Sequence, residues 1–576
     1  MKDNLPGGII HGRAAALAVA LAVMAVLSVG TMLVHAGWAG RWGATTFQLY
    51  NSDASDAPVT ITFYDEAGSV TLTFTDTLPA GGTRFYEPEE LPYNLPVTFT
   101  GMLYVSATQD VFGVVYHFAD PADPSDGNVI YRMIDTDDLT TSTYLPYVDW
   151  NQHGWFTNVH LQNPHGVTVT AVITYYNLDG TFVGPYTVPI DLHATESLTS
   201  PVPIGSARVQ ASRPILVVVS REYDDDDAAD VSDDDDDDDN PHTIYNGQPP
   251  GSALLRAPYV HSDDSFIAVQ NTGNISAEVQ VVFHWPQTET ITATVEPLAT
   301  HIFTSTQDDL QGQAVITGTQ PVAAVVVTQQ SDDDGDDGDD GNDDDDDAGA
   351  WCYNALRPMR ASQSIAIPSV LHDCEGWGTL LWIQNLTSTA QAVEILYTAA
   401  PTGTLAYTRT PSLAPHEVYT VSNDWLPPTF QHAAVLVVGS GEVGALVRPS
   451  KLITDGAMGY EGYAIAPLDI PAPVIQHVNP SASPPAASLE LVIDGRHFQQ
   501  GATMVLSRTG QAPIAASVVS VTGATTITAQ VDLTGAVLGE WDVVVTNADG
   551  RTATAPVPFT VQDWPYHFYL PLAMKG

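Results

Sequence analysis

The chain has 576 residues, too long for one ordinary core, and 44% of them are hydrophobic, so several packed domains are expected and a disordered polymer is excluded. A formal net charge of −50 with only 18 Lys and Arg leaves no basic footprint for nucleic acid or for an anionic membrane surface. The charge is concentrated: 224–239 and 332–347 carry 12 aspartates each, 24 of the 50 charges, so small cations or cationic groups on a partner are the natural counterparts.

In chain order, Lys2 and Arg13 precede an apolar run at 14–36, and Val34-His35-Ala36 before Gly37 suits a small-residue cleavage site. This reads as a secretory signal peptide. The run has 23 residues. At about 1.5 Å per residue that also suffices to span a bilayer, so an uncleaved anchor stays open. Either way the remainder is expected outside the cytoplasm, secreted or on the cell surface.

Four segments then begin with a short strand ending in asparagine: Phe47-Gln48-Leu49-Tyr50-Asn51, Val159-His160-Leu161-Gln162-Asn163, Ile267-Ala268-Val269-Gln270-Asn271 and Leu381-Trp382-Ile383-Gln384-Asn385. The asparagines recur every 112, 108 and 114 residues. Each is followed by a β-branched run (59–64, 172–176, 279–283, 393–397) and later by a near-continuous apolar one (111–116, 214–219, 321–327, 443–447). Proline-bearing strands at 145–148, 257–260 and 367–370 are expected to close three of the repeats. No long amphipathic helix follows residue 36, and strands at intervals of about 8 to 12 residues indicate sandwiches. The expected fold is all-β, with tandem immunoglobulin-like sandwiches at 40–148, 149–260, 261–371 and 372–470 after a signal or anchor helix at 1–36. The repeated asparagine reads as a turn cap rather than a sugar or metal ligand.

Both aspartate runs follow the apolar strand of their repeat and precede a short strand with Tyr245-Asn246 or Tyr353-Asn354, so they read as elongated hairpin loops. Calcium is the cation such carboxylates would gather. Asp224, Asp227, Asp233, Asp236 and Asp239 in one run, and Asp332, Asp336, Asp339, Asp343 and Asp347 in the other, are weak candidates. The spacing around Gly335, Gly338 and Gly341 fails the EF-hand pattern, so affinity on the order of 10⁻⁴ to 10⁻³ M is expected, with a solvated acidic tip as the alternative. The two cysteines, Cys352 and Cys374, can pair outside the cytoplasm and close a 22-residue loop. Such a bridge is worth roughly 3 kcal/mol, with two buried thiols as the alternative.

Catalytic patterns are missing: no Gly-x-Ser-x-Gly, no His-Glu-x-x-His, no phosphate loop and no dinucleotide fingerprint. The densest histidines, His153, His160 and His165, have no ligand spacing, and Glu89-Glu90 makes no acid–base pair. Trp150, Trp155, Trp377 and Trp382 read as core aromatics, with sugar stacking as a second possibility.

The segment at 471–561 differs from the repeats. It holds an Asn479-Pro480 turn, a Gly495-x-x-Phe498 after a strand, and Asn547-Ala548-Asp549-Gly550 between two β runs, a hairpin turn needing positive φ. In these features it resembles the IPT/TIG family of immunoglobulin-like domains, which implies a spacer, an adhesion module or an appendage, with no catalytic residue. The tail at 562–576 contains Tyr569-Leu570-Pro571-Leu572 and resembles a short ending found on some exported bacterial proteins; a last strand docking on a neighbour is the alternative. The expectation is a non-catalytic extracellular or cell-surface structural and adhesion protein, without a certain cofactor. Its partner would be a surface or matrix component, with a polysaccharide-binding array as the alternative and a hydrolase as a more distant one. A membrane would be met only through an uncleaved N-terminal segment.

Overall fold

In a computed structural model of the chain, the described residues are 30–36 and most of 44–562; the stretches 119–128, 224–241, 330–349, 423–431, 452–459 and 466–472 and some shorter ones fall outside them. The described residues are all-β apart from a 3₁₀ turn at Thr136–Asp138, and none of their helices is long and apolar enough to cross a membrane. They form two compact units. The larger takes residues up to 391, 399–404 and 413–466; the smaller takes 392–398, 405–412 and everything from 467.

The larger unit repeats one plan. In the third module, Gln311–Gln329 is a long strand serving two sheets. Its first half lies between Ala277–His284 and Ser252–His261, its second half between Ser265–Asn271 and Ala350–Asn354. Period-two burial explains the sheet: Val279, Val281 and Phe283 face inward, fully or almost fully buried, while Glu278, Gln280 and His284 face out. Each such buried side chain contributes roughly 1.5–3 kcal/mol. Ile204–Tyr223 plays the same part in the second module and His432–Lys451 in the fourth. In the first module the long strand is split into Gly101–Ala107 and Val111–Phe118.

Two sequence expectations change here. The proline-bearing strands open modules rather than closing them: Leu145 pairs with Ala207, Ala257 with Ala314 and Ile367 with Val435, each on the following long strand. The module boundaries therefore shift towards the N-terminus of 148, 260 and 371. The corresponding strand of the first module is Gly30–Ala36, paired with Gly101–Ala107. The end of the apolar run is thus a strand, not the end of a helix. It lies between Gly101–Ala107 and Ile134–Asp135, with Leu33 paired to Tyr104 on one side and to Ile134 on the other. Residues 1–29 lie outside the described residues.

The modules are joined head to tail by hydrogen bonds that are buried at two seams and partly buried at the third. Gln162 Nε2 donates to Gly101 O (3.3 Å), Gln270 Nε2 to Ala207 O (3.2 Å) and Gln384 Nε2 to Gln313 Oε1 (2.5 Å), each reaching the preceding module. The first module reaches the fourth: Gln48 Nε2 donates to Pro368 O (2.9 Å), Tyr116 Oη to Ser369 Oγ, and Tyr463 Oη to Gly113 O and Met133 O (2.7 Å to the latter). The four modules close into a ring. Packing crosses the seams too, since Trp382 and Leu446 sit in the core of the third module, and Val325, Val327 and Cys352 in that of the second. A row of separately packed sandwiches is replaced by one continuous cyclic unit.

The smaller unit has its own core around Leu491, Ile493, Leu506, Ile527, Trp541 and Phe559. One sheet runs Val474–Asn479, Leu489–Arg496, Thr526–Val531, Val518–Thr522; the other contains Phe559–Val561, Gly539–Thr546 and Thr503–Ser507. Thr546 pairs with Thr552, so Asn547 does begin a hairpin connection, as its sequence indicates.

Candidate functional site

The repeated asparagines are structural. Asn163 Nδ2 donates to Val167 O (2.8 Å), Ile190 O (3.0 Å) and Asp191 O (2.8 Å), while its Oδ1 accepts from His165 N (2.9 Å). Asn51 and Asn385 make the corresponding three donations, and Asn271 two of them, to Ile275 O and Val295 O. One side chain thus ties a turn to the end of the next hairpin, which is why the residue recurs without any ligand.

A second repeated group gathers at the centre of the ring. Each module ends in a short strand with a buried tyrosine: Tyr131, Tyr245, Tyr353 and Tyr460. Tyr245 Oη donates to Tyr147 O, Tyr353 Oη to Tyr259 O and Tyr460 Oη to Ser369 O (2.7 Å), all on the residue after the strand proline. The residues that follow, Arg132, Asn246, Asn354 and Glu461, one from each module, line a single cavity of about 80 Å³. Asn246 Nδ2 donates to Arg132 O (3.3 Å) and Asn354 Nδ2 to Asn246 O (2.9 Å), a staircase from module to module. Asn246 Oδ1 is buried without a protein partner. At about 30 Å³ per molecule, the cavity has room for two or three ordered waters or a small polar molecule held by amides and a guanidinium. Thr140, Thr143 and Asp138 also line it, and none of its lining residues is His, Cys, Ser or Lys.

The aspartate candidates Asp224, Asp227, Asp233, Asp236, Asp239, Asp332, Asp336, Asp339, Asp343 and Asp347 all lie outside the described residues. Their flanking strands are described, and they are equivalent: Glu222 pairs with His242 on either side of the first run, Gln329 with Ala350 on either side of the second. Both runs therefore join antiparallel neighbours at the same point of their modules. In a head-to-tail ring, equivalent points share one face, so the strand ends that carry both runs do too. Among the described residues no group of three His, Cys, Asp or Glu could hold a metal ion. His160 is bound between Ser197 Oγ (2.7 Å) and Ser220 Oγ (3.0 Å), and His165 Nε2 meets Pro214 O (2.8 Å), so these two serve the fold; His153 is outside the described residues.

Cys352 is a free buried thiol, not half of a bridge to Cys374, which lies outside the described residues. The inward face of its strand directs Sγ towards Ile244 O of the second module (3.1 Å). Burial pushes its pKa up to about 12. Thiolate is the reactive form, so a thiol reagent at pH 8 should leave Cys352 unmodified in the folded protein and modify it in denaturant, as read by peptide mass mapping. Quantitative labelling of the native protein would contradict this packing.

Sequence inspection missed the charge pair of the second module. Asp149 is fully buried and Arg221 almost so, with Arg221 Nη2 2.6 Å from Asp149 Oδ2 and both carboxylate oxygens 3.3 Å from Nε. Trp155 and Tyr147 flank the guanidinium at 4.4 and 4.8 Å, so Trp155 is a core residue rather than a sugar platform. Trp382 is likewise 5% exposed, whereas Trp150 is 43% exposed.

No family model and no curated protein matches the chain. Among solved structures, one match is the crystal structure of a tetra-tandem repeat in the extending region of a large adhesion protein. It is 10% identical, with a TM-score of 0.15, covering 78% of this chain and 95% of that one. A likeness so slight bears neither on the fold nor on the role.

Proposed function

We propose that the chain is a non-catalytic, exported structural and adhesion protein: a cyclic scaffold of four immunoglobulin-like modules joined to an IPT/TIG-like domain. The observation that supports this most directly is the ring itself. Its seams are held by buried and partly buried hydrogen bonds and shared cores, a construction suited to holding surface loops in place rather than to opening and closing around a substrate. The strand ends that flank both aspartate runs lie at equivalent points of their modules, and weak calcium binding would order the runs and screen their repulsion. The Tyr-Leu-Pro-Leu tail would serve sorting or attachment.

The N-terminus tests the reading. Cleavage after Ala36 would remove the strand Gly30–Ala36 and leave Gly101–Ala107 without a partner on that edge. Cell fractionation with N-terminal sequencing should therefore find the protein outside the cytoplasm and beginning at or before Gly30. A cytoplasmic protein would sink the proposal, and a start at Gly37 would sink the role given to that strand. Calcium at millimolar concentration should raise the melting temperature, and deletion of 224–239 and 332–347 should abolish the shift. An unchanged melting temperature would dispose of the calcium role.

A further inference from the structure

The seams of the ring are not alike. At the second–third seam Thr300 Oγ1 donates to Pro146 O (2.7 Å), and at the fourth–first seam Thr83 Oγ1 meets Pro368 O (3.4 Å). These threonines occupy one repeated position, opposite Gln270 and Tyr50 on the neighbouring strand, and the position opposite Gln384 holds Val418. Valine has no hydroxyl, so the third–fourth seam cannot be closed in this way. There, instead, lies a groove of about 500 Å³ whose lining includes buried Pro258 and half-buried Val418. That volume falls within the range of ligand clefts.

Its walls have the chemistry of a saccharide site. Tyr259 is half-buried and lies against Trp382, with ring centroids 4.7 Å apart and planes tilted by 38°, so that the two give the groove an aromatic wall. Gln313, Glu417, Arg448 and His284 stand around it. Burial raises the Tyr259 pKa and the Arg448 guanidinium opposes that rise, which places the cation beside the phenol. Burial, aided by Arg256, lowers the pKa of His284, so the imidazole is neutral near pH 7 and can both donate and accept. A rigid aromatic surface ringed by fork-shaped and amide hydrogen-bonding groups matches a pyranose ring, apolar on its C–H face and hydroxylated at its edge.

We infer that the groove between the third and fourth modules binds a hexopyranose unit of a glycan, with Tyr259 beneath the sugar face and Arg448, Glu417 and Gln313 on its hydroxyls. This deepens the adhesion reading, on which it rests only for the meeting with glycan outside the cell. The test is calorimetric titration of the full chain with malto-, cello- and laminarihexaose. At least one should bind at a single site, and Tyr259→Ala and Arg448→Gln should each weaken it by about tenfold or more, a difference of ~1.4 kcal/mol in binding. Val418→Thr, which is nearly isosteric and supplies the missing hydroxyl, should close the seam and also weaken binding while the circular dichroism spectrum stays unchanged. Absence of binding to all three hexaoses would overturn the assignment, as would wild-type affinity in folded Arg448→Gln and Val418→Thr. Fractionation decides the scaffold reading separately, so the two can fail independently.

Discussion

Asp149→Ala should be the most damaging single substitution in the ring, lowering stability by about 3–5 kcal/mol, because it leaves the Arg221 guanidinium buried and uncompensated. Burial alone would lower the pKa of Arg221, but the Asp149 carboxylate and then Tyr147 hold it above its ordinary value, so the guanidinium stays charged throughout the working pH range. In the variant burial acts without that carboxylate, yet an arginine guanidinium is not deprotonated in proteins, so loss of its proton does not relieve the cost. Thr157, whose Oγ1 donates to Asp149 and accepts from its backbone N at 2.9 Å, would lose a partner as well. Replacing both charges, Asp149→Leu with Arg221→Met, should recover most of the stability, since a packed apolar pair has no ion to desolvate. Urea unfolding of the three variants decides it. A double variant as unstable as Asp149→Ala would show that shape, not charge, governs the site.

Asn163→Ala should cost about 3 kcal/mol, as the carbonyls of Val167, Ile190 and Asp191 and the amide of His165 all lose their partner. An ordinary hydrogen bond contributes about 1 kcal/mol, and an orphaned buried group costs more. Asn163→Asp is the sharper variant: nearly the same in shape, it sets a carboxylate against three carbonyls where a donor had been. It should be at least as destabilising as the alanine. Denaturation of Asn163→Asp close to wild type would mean that the knot is not what holds the hairpin end in place.

The repeat and its strands are legible in the sequence because the determinants are local. Alternation over Ala277–His284 and the asparagine four residues before Val167 act within a turn or a strand of the chain. Register and closure are not local. The proline-bearing strand at 145–148 pairs with residues some 60 positions further on, and no feature of Leu145 says whether its partner lies before or after it. The ring depends on bonds such as Tyr116 to Ser369 and Tyr463 to Met133, spanning 253 and 330 positions. Composition carries no trace of them. Cys352 shows the same limit: spacing permits a bridge, but only the strand's inward face reveals that its sulfur is bound to Ile244 O. Trp155 needed Arg221 beneath it before its role was visible. The threonine-to-valine change at position 418 is plain in the sequence, yet it means nothing until Pro146, Pro258 and Pro368 are seen to share one place.

Three junctions of the ring are also bridged by the polypeptide itself, whereas the fourth, between the outermost modules, is held among the described residues by side-chain contacts such as Gln48 to Pro368 and Tyr463 to Met133. Breathing of the circle should therefore begin there, as a C-shaped excursion that costs only those contacts and spares every sheet. Deuterium uptake at the amides near Gly113, Met133 and Ser369 would then outpace that at Ala207 or Ala314, and the molecule would have a hinge defined by chain connectivity rather than by any soft residue.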